Sequence, residues 1–256
     1  MGGRISTIQT MATQDLAPIS VVRLSKNFGR VKALTDVSFT VPRNSVYALI
    51  GANGTGKSTL MRLLLHIHRA TSGESSVLGV ASWDLRAQHF ERIGYLAEGH
   101  HSPDWLTAEQ YGEWLQPFYP RWDVARYTQL CRRLRVPASR RMAAMSRGTR
   151  MKTLLCGVLA FRPECLLLDE PLGGLDPLAR EEIMEVLRES SQGTTILISS
   201  HDLFEIEPLA THVGYLDEGR LLFSEPVADL RARFDSMSLR DIFLNLARAS
   251  VSARTN

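Results

Sequence analysis

Apolar positions along the chain follow two different periods. Residues 19–24, 37–41 and 46–50 are short alternating or β-branched runs separated by the turn-prone Asn27, Gly29, Pro42 and Asn44, a pattern that predicts strands. Beyond residue 59 the spacing changes. Leu60, Leu63, Leu64 and Ile67 recur at three- and four-residue intervals, which predicts a helix packed by one face. Helical spacing returns at Thr107, which forms a capping-box pair with Gln110; Tyr111, Trp114 and Leu115 follow on one face until Pro117 and Pro120 interrupt. Residues 126–134 and 147–161 read as further helices, split by Val136-Pro137-Ala138-Ser139. Residues 165–168 and 194–199 are continuous apolar or β-branched runs of the kind buried parallel strands require, with a helix over 178–189 between them. Together they predict a βαβ unit.

Composition sets the scale of this arrangement. With 256 residues, 44% hydrophobic and 22% charged, the chain can bury one substantial core. One domain is expected over residues 19–246, with a helical subdomain at about 100–162, a disordered leader over 1–18 and a flexible tail over 247–256. The leader fits the loose myristoylation pattern at Gly2, and Met11 is an alternative start. The apolar run 154–161, interrupted by Gly157 and stopped by Pro163, falls short of the ~18 residues that suggest a membrane span. Any membrane role therefore has to come through a partner. Cys131, Cys156 and Cys165 show no metal-ligand pairing or disulfide framework, and no signal segment opens the chain, so a reducing cytosol is the expected compartment.

Charge is unevenly spread. No acidic residue lies between Asp123 and Glu164, an interval that holds Arg126, Arg132, Arg133, Arg135, Arg140, Arg141, Arg147, Arg150, Lys152 and Arg162. Without these ten the net charge would fall from +3 to −7. Such a block can face phosphates, anionic lipid or an acidic partner, or can be an ordinary solvated helical face.

The chemistry concentrates in a few short segments. Gly51-Ala52-Asn53-Gly54-Thr55-Gly56-Lys57-Ser58-Thr59 joins a predicted strand to a predicted helix. Its glycines let backbone N–H groups converge on phosphate oxygens, Lys57 supplies a point charge, and Ser58 places a hydroxyl on Mg²⁺. A nucleotide with Mg²⁺ is the expected ligand. Leu166-Leu167-Leu168-Asp169-Glu170 ends a buried strand in two carboxylates, the strand end at which open α/β sheets bind ligands. Asp169 is then the residue to hold Mg²⁺, and Glu170 the one to polarise an attacking water. His201 ends the strand over 195–200 and is a candidate γ-phosphate contact, against the bland alternative of a structural histidine.

These residues resemble the ATP-binding cassette family, the nucleotide-binding subunits of ABC transporters, in order from about Ile19 to Leu246. The more specific marks are Met145-Ser146-Arg147-Gly148-Thr149, which looks like the family's signature loop 24 residues upstream of Asp169, and Pro171 with Gly174-Leu175-Asp176, which resemble its D-loop. Ser200-His201-Asp202 resembles its switch histidine. The resemblance implies an α/β P-loop NTPase fold: a mostly parallel core sheet, an antiparallel β subdomain and an inserted α-helical subdomain. It further implies a head-to-tail dimer with a second nucleotide-binding subunit, in which two ATP molecules lie between the phosphate loop of one chain and Ser146 and Gly148 of the other. Asp176 would border that site, and Phe28, 23 residues before Gly51, would stack on adenine. The partner it implies is a transmembrane permease subunit, which would hold the chain on the cytoplasmic face of the cell membrane.

Two positions depart from the family pattern. Glu98 stands where most members carry a glutamine that touches Mg²⁺, and Arg147 replaces the first glycine of the signature. With the stretch Phe118-Tyr119-Pro120-Arg121-Trp122-Asp123, these variants resemble a branch dominated by exporters. Aromatics at Trp105, Tyr111, Trp114, Phe118, Tyr119 and Trp122 crowd the segment that in the family adjoins the permease; core packing is expected for most of them, with one or two left exposed for docking. The alternative is a soluble cassette ATPase acting on ribosomes or nucleic acid. Such relatives usually carry two cassettes or a coiled-coil insertion, and neither is present in this sequence. A regulator that binds nucleotide without turnover is a third possibility, motivated by Glu98 and Arg147.

Overall fold

The computed structural model describes residues 17–97, 99, 103–234, 237, 241–242 and 245. The expected leader, the tail over 247–256 and Glu98 lie wholly or almost wholly outside the described residues. A hairpin opens the fold. Strands β1 (Ile19–Phe28) and β2 (Val31–Val41) pair antiparallel with Phe28 opposite Val31, and Gly29 supplies the positive φ of 57° that the two-residue turn requires. Both strands run further toward the turn than the apolar pattern predicts, since the ladder continues through the polar Lys26 and Asn27. With β4 (Ser72–Val77) and β5 (Val80–Ala81) they form an antiparallel sheet of order β2-β1-β4-β5.

The second sheet positions the site. Its strands are β3 (Val46–Ile50), β6 (Ile93–Leu96), β7 (Cys165–Asp169), β8 (Thr195–Ser200), β9 (His212–Asp217) and β10 (Arg220–Pro226), in the order β10-β9-β3-β8-β7-β6. All neighbours are parallel except β10 on β9. Strand residues alternate between two cores, as the pleat demands. Val46, Ala48, Leu166, Leu168, Ile196 and Ile198 face one core, which also takes in the helical segment. Tyr47, Leu49, Cys165, Leu167 and Leu197 face the other, between this sheet and the antiparallel one.

Eight helices occur among the described residues: α1 (Lys57–Leu64), α2 (Ala87–Phe90), α3 (Ala108–Leu115), α4 (Val124–Arg133), α5 (Arg147–Ala160), α6 (Pro177–Ser190), α7 (Leu203–Ile206) and α8 (Val227–Arg233). α6 joins the neighbouring parallel strands β7 and β8, the βαβ unit read from the sequence. α1 buries Leu60, Leu63 and Leu64 but stops before Ile67, which is exposed past a turn where His66 has φ 55°. The capping box forms: Thr107 Oγ1 accepts from the Gln110 N–H at 3.2 Å, and Gln110 Oε1 accepts from the Thr107 N–H at 3.0 Å.

Five of the ten cations of the basic block pair with acids from outside it. Arg133 pairs with Glu189, Lys152 with Glu182, Arg150 with Asp104 at 3.2 Å and Arg162 with Asp123 at 3.0 Å, while Arg135 lies 3.8 Å from Glu182. Arg126 donates to the Leu159 carbonyl. The aromatics divide. Tyr111 is buried and Tyr119 stacks on Phe161 at 4.0 Å, whereas Trp105, Trp114 and Phe118 are exposed.

Helices α3 and α4 meet where Gly112 leaves room for the Tyr127 ring: a Cβ on Gly112 would lie 2.4 Å from Tyr127 Cε1. Gly112→Ala should therefore lower unfolding stability by about 1–3 kcal/mol through overpacking, measurable as a reduced urea midpoint with an unchanged m-value.

Candidate functional site

Parallel register brings three strand ends level. Ile50 pairs with Ser200 across β3 and β8, and Asp169 with Ser199 across β7 and β8. The loop after β3, the carboxylates ending β7 and the histidine after β8 therefore emerge side by side, although they are far apart in sequence. Gly51 begins the loop where only glycine fits, since a Cβ there would lie 2.2 Å from the Leu216 carbonyl oxygen of β9. Gly56 has φ 109°, and a Cβ there would meet the Ala33 carbonyl oxygen at 2.6 Å. Between them Thr55 is buried, its hydroxyl donating to the Ala52 carbonyl at 2.9 Å. Ser58 and Thr59 lie on the first turn of α1, half-buried.

Lys57 is the first residue of α1 and only 5% exposed. Its ammonium donates to the Gly51 carbonyl at 2.6 Å and the Ala52 carbonyl at 3.1 Å, and lies 3.1 Å from Glu170 Oε1. The loop and carboxylate border a cleft of about 350 Å³ lined by Val31, Lys32, Ala33, Asn53, Gly54, Gly56, Lys57, Ser58, Thr59 and Glu170. This volume lies in the range of small-ligand sites.

The carboxylates are held from β8. Ser199 Oγ donates to Asp169 Oδ1 at 2.7 Å and accepts from the Glu170 N–H at 2.9 Å. Ser199 was not singled out from sequence; two serines ending the apolar run Thr195-Ile196-Leu197-Ile198 are the signal that could have found it. Glu170 is buried, with φ 50° in the left-handed region, a strain of about 1–2 kcal/mol for a residue with a Cβ. Its Oε2 lies 2.9 Å from Nδ1 of the exposed His201. Tyr95, on β6, is a further group not found from sequence: burial first, then the negative charge of Asp169, push its phenol above its ordinary pKa. Asp169 Oδ2 is buried with no hydrogen-bond partner among the described residues. An orphaned carboxylate oxygen, with the Ser58 hydroxyl on the adjoining helix turn, is the oxygen donor set a hard cation such as Mg²⁺ takes.

The remaining sequence candidates lie elsewhere. Phe28 is not among the cleft-lining residues; its ring meets His68 edge-on at 5.4 Å and carries Lys26 Nζ 4.7 Å over one face. Ser146, Gly148 and Asp176 form a second cluster. Ser146 caps α5, accepting from the Thr149 N–H at 3.2 Å; Asp176 caps α6, accepting from the Ala179 N–H at 2.9 Å; and a Cβ on Gly148 would lie 3.6 Å from Asp176 Oδ2. None of the three lines the cleft of its own chain. Glu98 lies outside the described residues.

A family model described as ABC transporter matches residues 34–173. The chain is 31% identical over 233 residues to the lantibiotic transport ATP-binding protein SrtF of Streptococcus pyogenes, covering 89% of this chain and 96% of that one. It is 29% identical over 232 residues to the ABC transporter ATP-binding protein YtrB of Bacillus subtilis, covering 90% and 79%. A solved ATP-binding subunit of an ABC transporter superposes with a TM-score of 0.80 at 28% identity, covering 90% of this chain and 99% of that one.

Ser199→Ala should unpair both the Asp169 carboxylate oxygen and the Glu170 N–H. Stability should fall by about 1–3 kcal/mol, read by urea unfolding, and ATP turnover should drop further than nucleotide affinity.

Proposed function

The chain belongs to the ABC transporter family as one of its ATP-binding ATPase subunits, and on that footing we propose that it dimerises around two MgATP and drives a separate transmembrane permease in the direction of export. The observation that carries this reading is the convergence of Lys57, Asp169, Glu170 and His201 at the level ends of β3, β7 and β8. Lys57, released from the Gly51 and Ala52 carbonyls, binds β- and γ-phosphate oxygens, and the loop amides take the rest. Mg²⁺, held by Ser58 and Asp169, neutralises phosphate charge when bound. Glu170 orients and polarises water, and His201, bonded to its other oxygen, keeps the carboxylate turned toward the cleft. Phe28 stacks on adenine after Lys26 leaves its face. Ser146 and Gly148 contact the γ-phosphate held by the other chain, with Asp176 beside them.

No helix among the described residues is long and apolar enough to cross a membrane, so transport requires a membrane partner, on whose inner face the chain sits. The exposed Trp114 and Phe118, 5.6 Å apart, offer apolar surface for it. Export is supported by the lantibiotic transport role named for the Streptococcus relative. Pairing of half of the basic block with acids of the same chain weighs against a nucleic-acid partner.

Lys57→Ala should abolish ATP binding in equilibrium titration. Glu170→Gln should keep it, reduce turnover by about 10²–10⁴-fold, and accumulate dimer with ATP in size-exclusion chromatography. Wild-type turnover by Glu170→Gln would defeat the assignment of the water-polarising base. Co-purification with a multi-span protein from detergent-solubilised membranes is the expected partner result; salt-sensitive RNA binding with no such partner would favour the soluble alternative.

A further inference from the structure

Arg147 occupies a position that local physics disfavours. It is the first residue of α5, directly after the Ser146 cap, where a cation meets the positive end of the helix dipole. No carboxylate pairs with it among the described residues, unlike Arg133, Arg150 and Lys152 nearby. Its guanidinium instead lies over the backbone of two glycines in the loop after Glu170. A Cβ on Gly174 would sit 2.8 Å from Arg147 Nη1 and 3.3 Å from Cζ, so the guanidinium fills the space a side chain at 174 would use. At Gly173 a Cβ would lie 3.8 Å from Arg147 Nη2 and 3.9 Å from Glu170 Oε2, so both charged groups flank the same backbone position. The loop is tied to Glu170 in turn: the Gly173 N–H donates to the Glu170 carbonyl at 3.3 Å, and Glu170 itself is held at φ 50°.

We propose that Arg147 is a positioning residue that clamps residues 171–175 through Gly174 and so holds the strained backbone of Glu170. The start of α5 and the water-polarising carboxylate of one chain then move as a unit. This rests on the preceding reading of Glu170. The planar guanidinium suits the task because it spreads over two backbone units, which a compact ammonium does not.

Two measurements test the clamp. The first is steady-state ATPase kinetics of Arg147→Gly, Arg147→Lys, Gly174→Ala and the double variant Arg147→Gly/Gly174→Ala. Arg147→Gly should lower kcat at least tenfold with KM for MgATP within twofold. Arg147→Lys should not restore kcat. Gly174→Ala, which puts a methyl where the guanidinium lies, should reproduce the loss, and the double variant should be no worse than the poorer single. The second measurement is hydrogen exchange of residues 171–175 without nucleotide, which should accelerate in Arg147→Gly. Wild-type kcat in Arg147→Gly, losses that multiply in the double variant, or a kcat loss with unchanged exchange would each overturn the proposal. A wild-type chain that hydrolyses no ATP, with or without a membrane partner, would defeat the preceding reading instead; the exchange result would still decide on the clamp.

Discussion

The parallel ladder between β3, β8 and β7 is the constraint on which the site depends. A slip of one residue would turn every side chain of a strand to the opposite face, and these strands face an apolar core on both sides. Burial therefore fixes the register, and the register sets Gly51, Asp169, Ser199 and His201 at one level. The placement of β8 between the other two matters for chemistry as well as topology. From that central position Ser199 reaches the Asp169 carboxylate and the Glu170 N–H together, so the strand that stabilises the sheet also orients both carboxylates.

Buried charge gives this arrangement its responsiveness. An unpaired ammonium as buried as Lys57 would cost several kcal/mol. The two loop carbonyls and Glu170 offset that cost, and Glu170 in return lies within 3.1 Å of the Lys57 ammonium and 2.9 Å of the His201 ring. An arriving triphosphate thus replaces contacts already made and adds little new pairing for Lys57 itself. Its gain comes from loop amides and from the Mg²⁺ it would bring, which the Asp169 oxygen left without a partner among the described residues would help to hold. Lys57 moving from carboxylate to phosphate also alters the field at Glu170, so nucleotide binding is felt at that carboxylate.

What the sequence revealed follows the range of each interaction. The phosphate loop was legible because its glycine requirements are local, and the capping box at Thr107 involves residues three apart. β4 escaped notice because Ser72-Gly73-Glu74-Ser75-Ser76 carries no apolar alternation; it is a strand because β1 pairs with it. Ser199 and Tyr95 were missed for a related reason, as their importance comes from strands adjacent in space and distant in sequence. Ile67 misled because periodicity cannot register the turn at His66 that ends α1. Composition leaves the role of the basic block open, because its acids lie on α6 and in the loops at Asp104 and Asp123; five of its ten cations meet one in space.

The start of α5 carries donors that its own helix does not use. The first amides of a helix have no intrahelical acceptor. At α5 the Ser146 hydroxyl takes that of Thr149, which leaves the amides of Arg147 and Gly148 as donors at a positive dipole end, beside an arginine with no carboxylate partner among the described residues. These groups do not border their own chain's cleft. An anion shared with a second copy would satisfy donors on one chain and cations on the other, and with two such anions both chains gain equally. Arg147 resting on Gly174 then has a reason to be arginine: it joins the donor cluster facing outward to the loop that leads back to Glu170, and so gives each half a means to register the other.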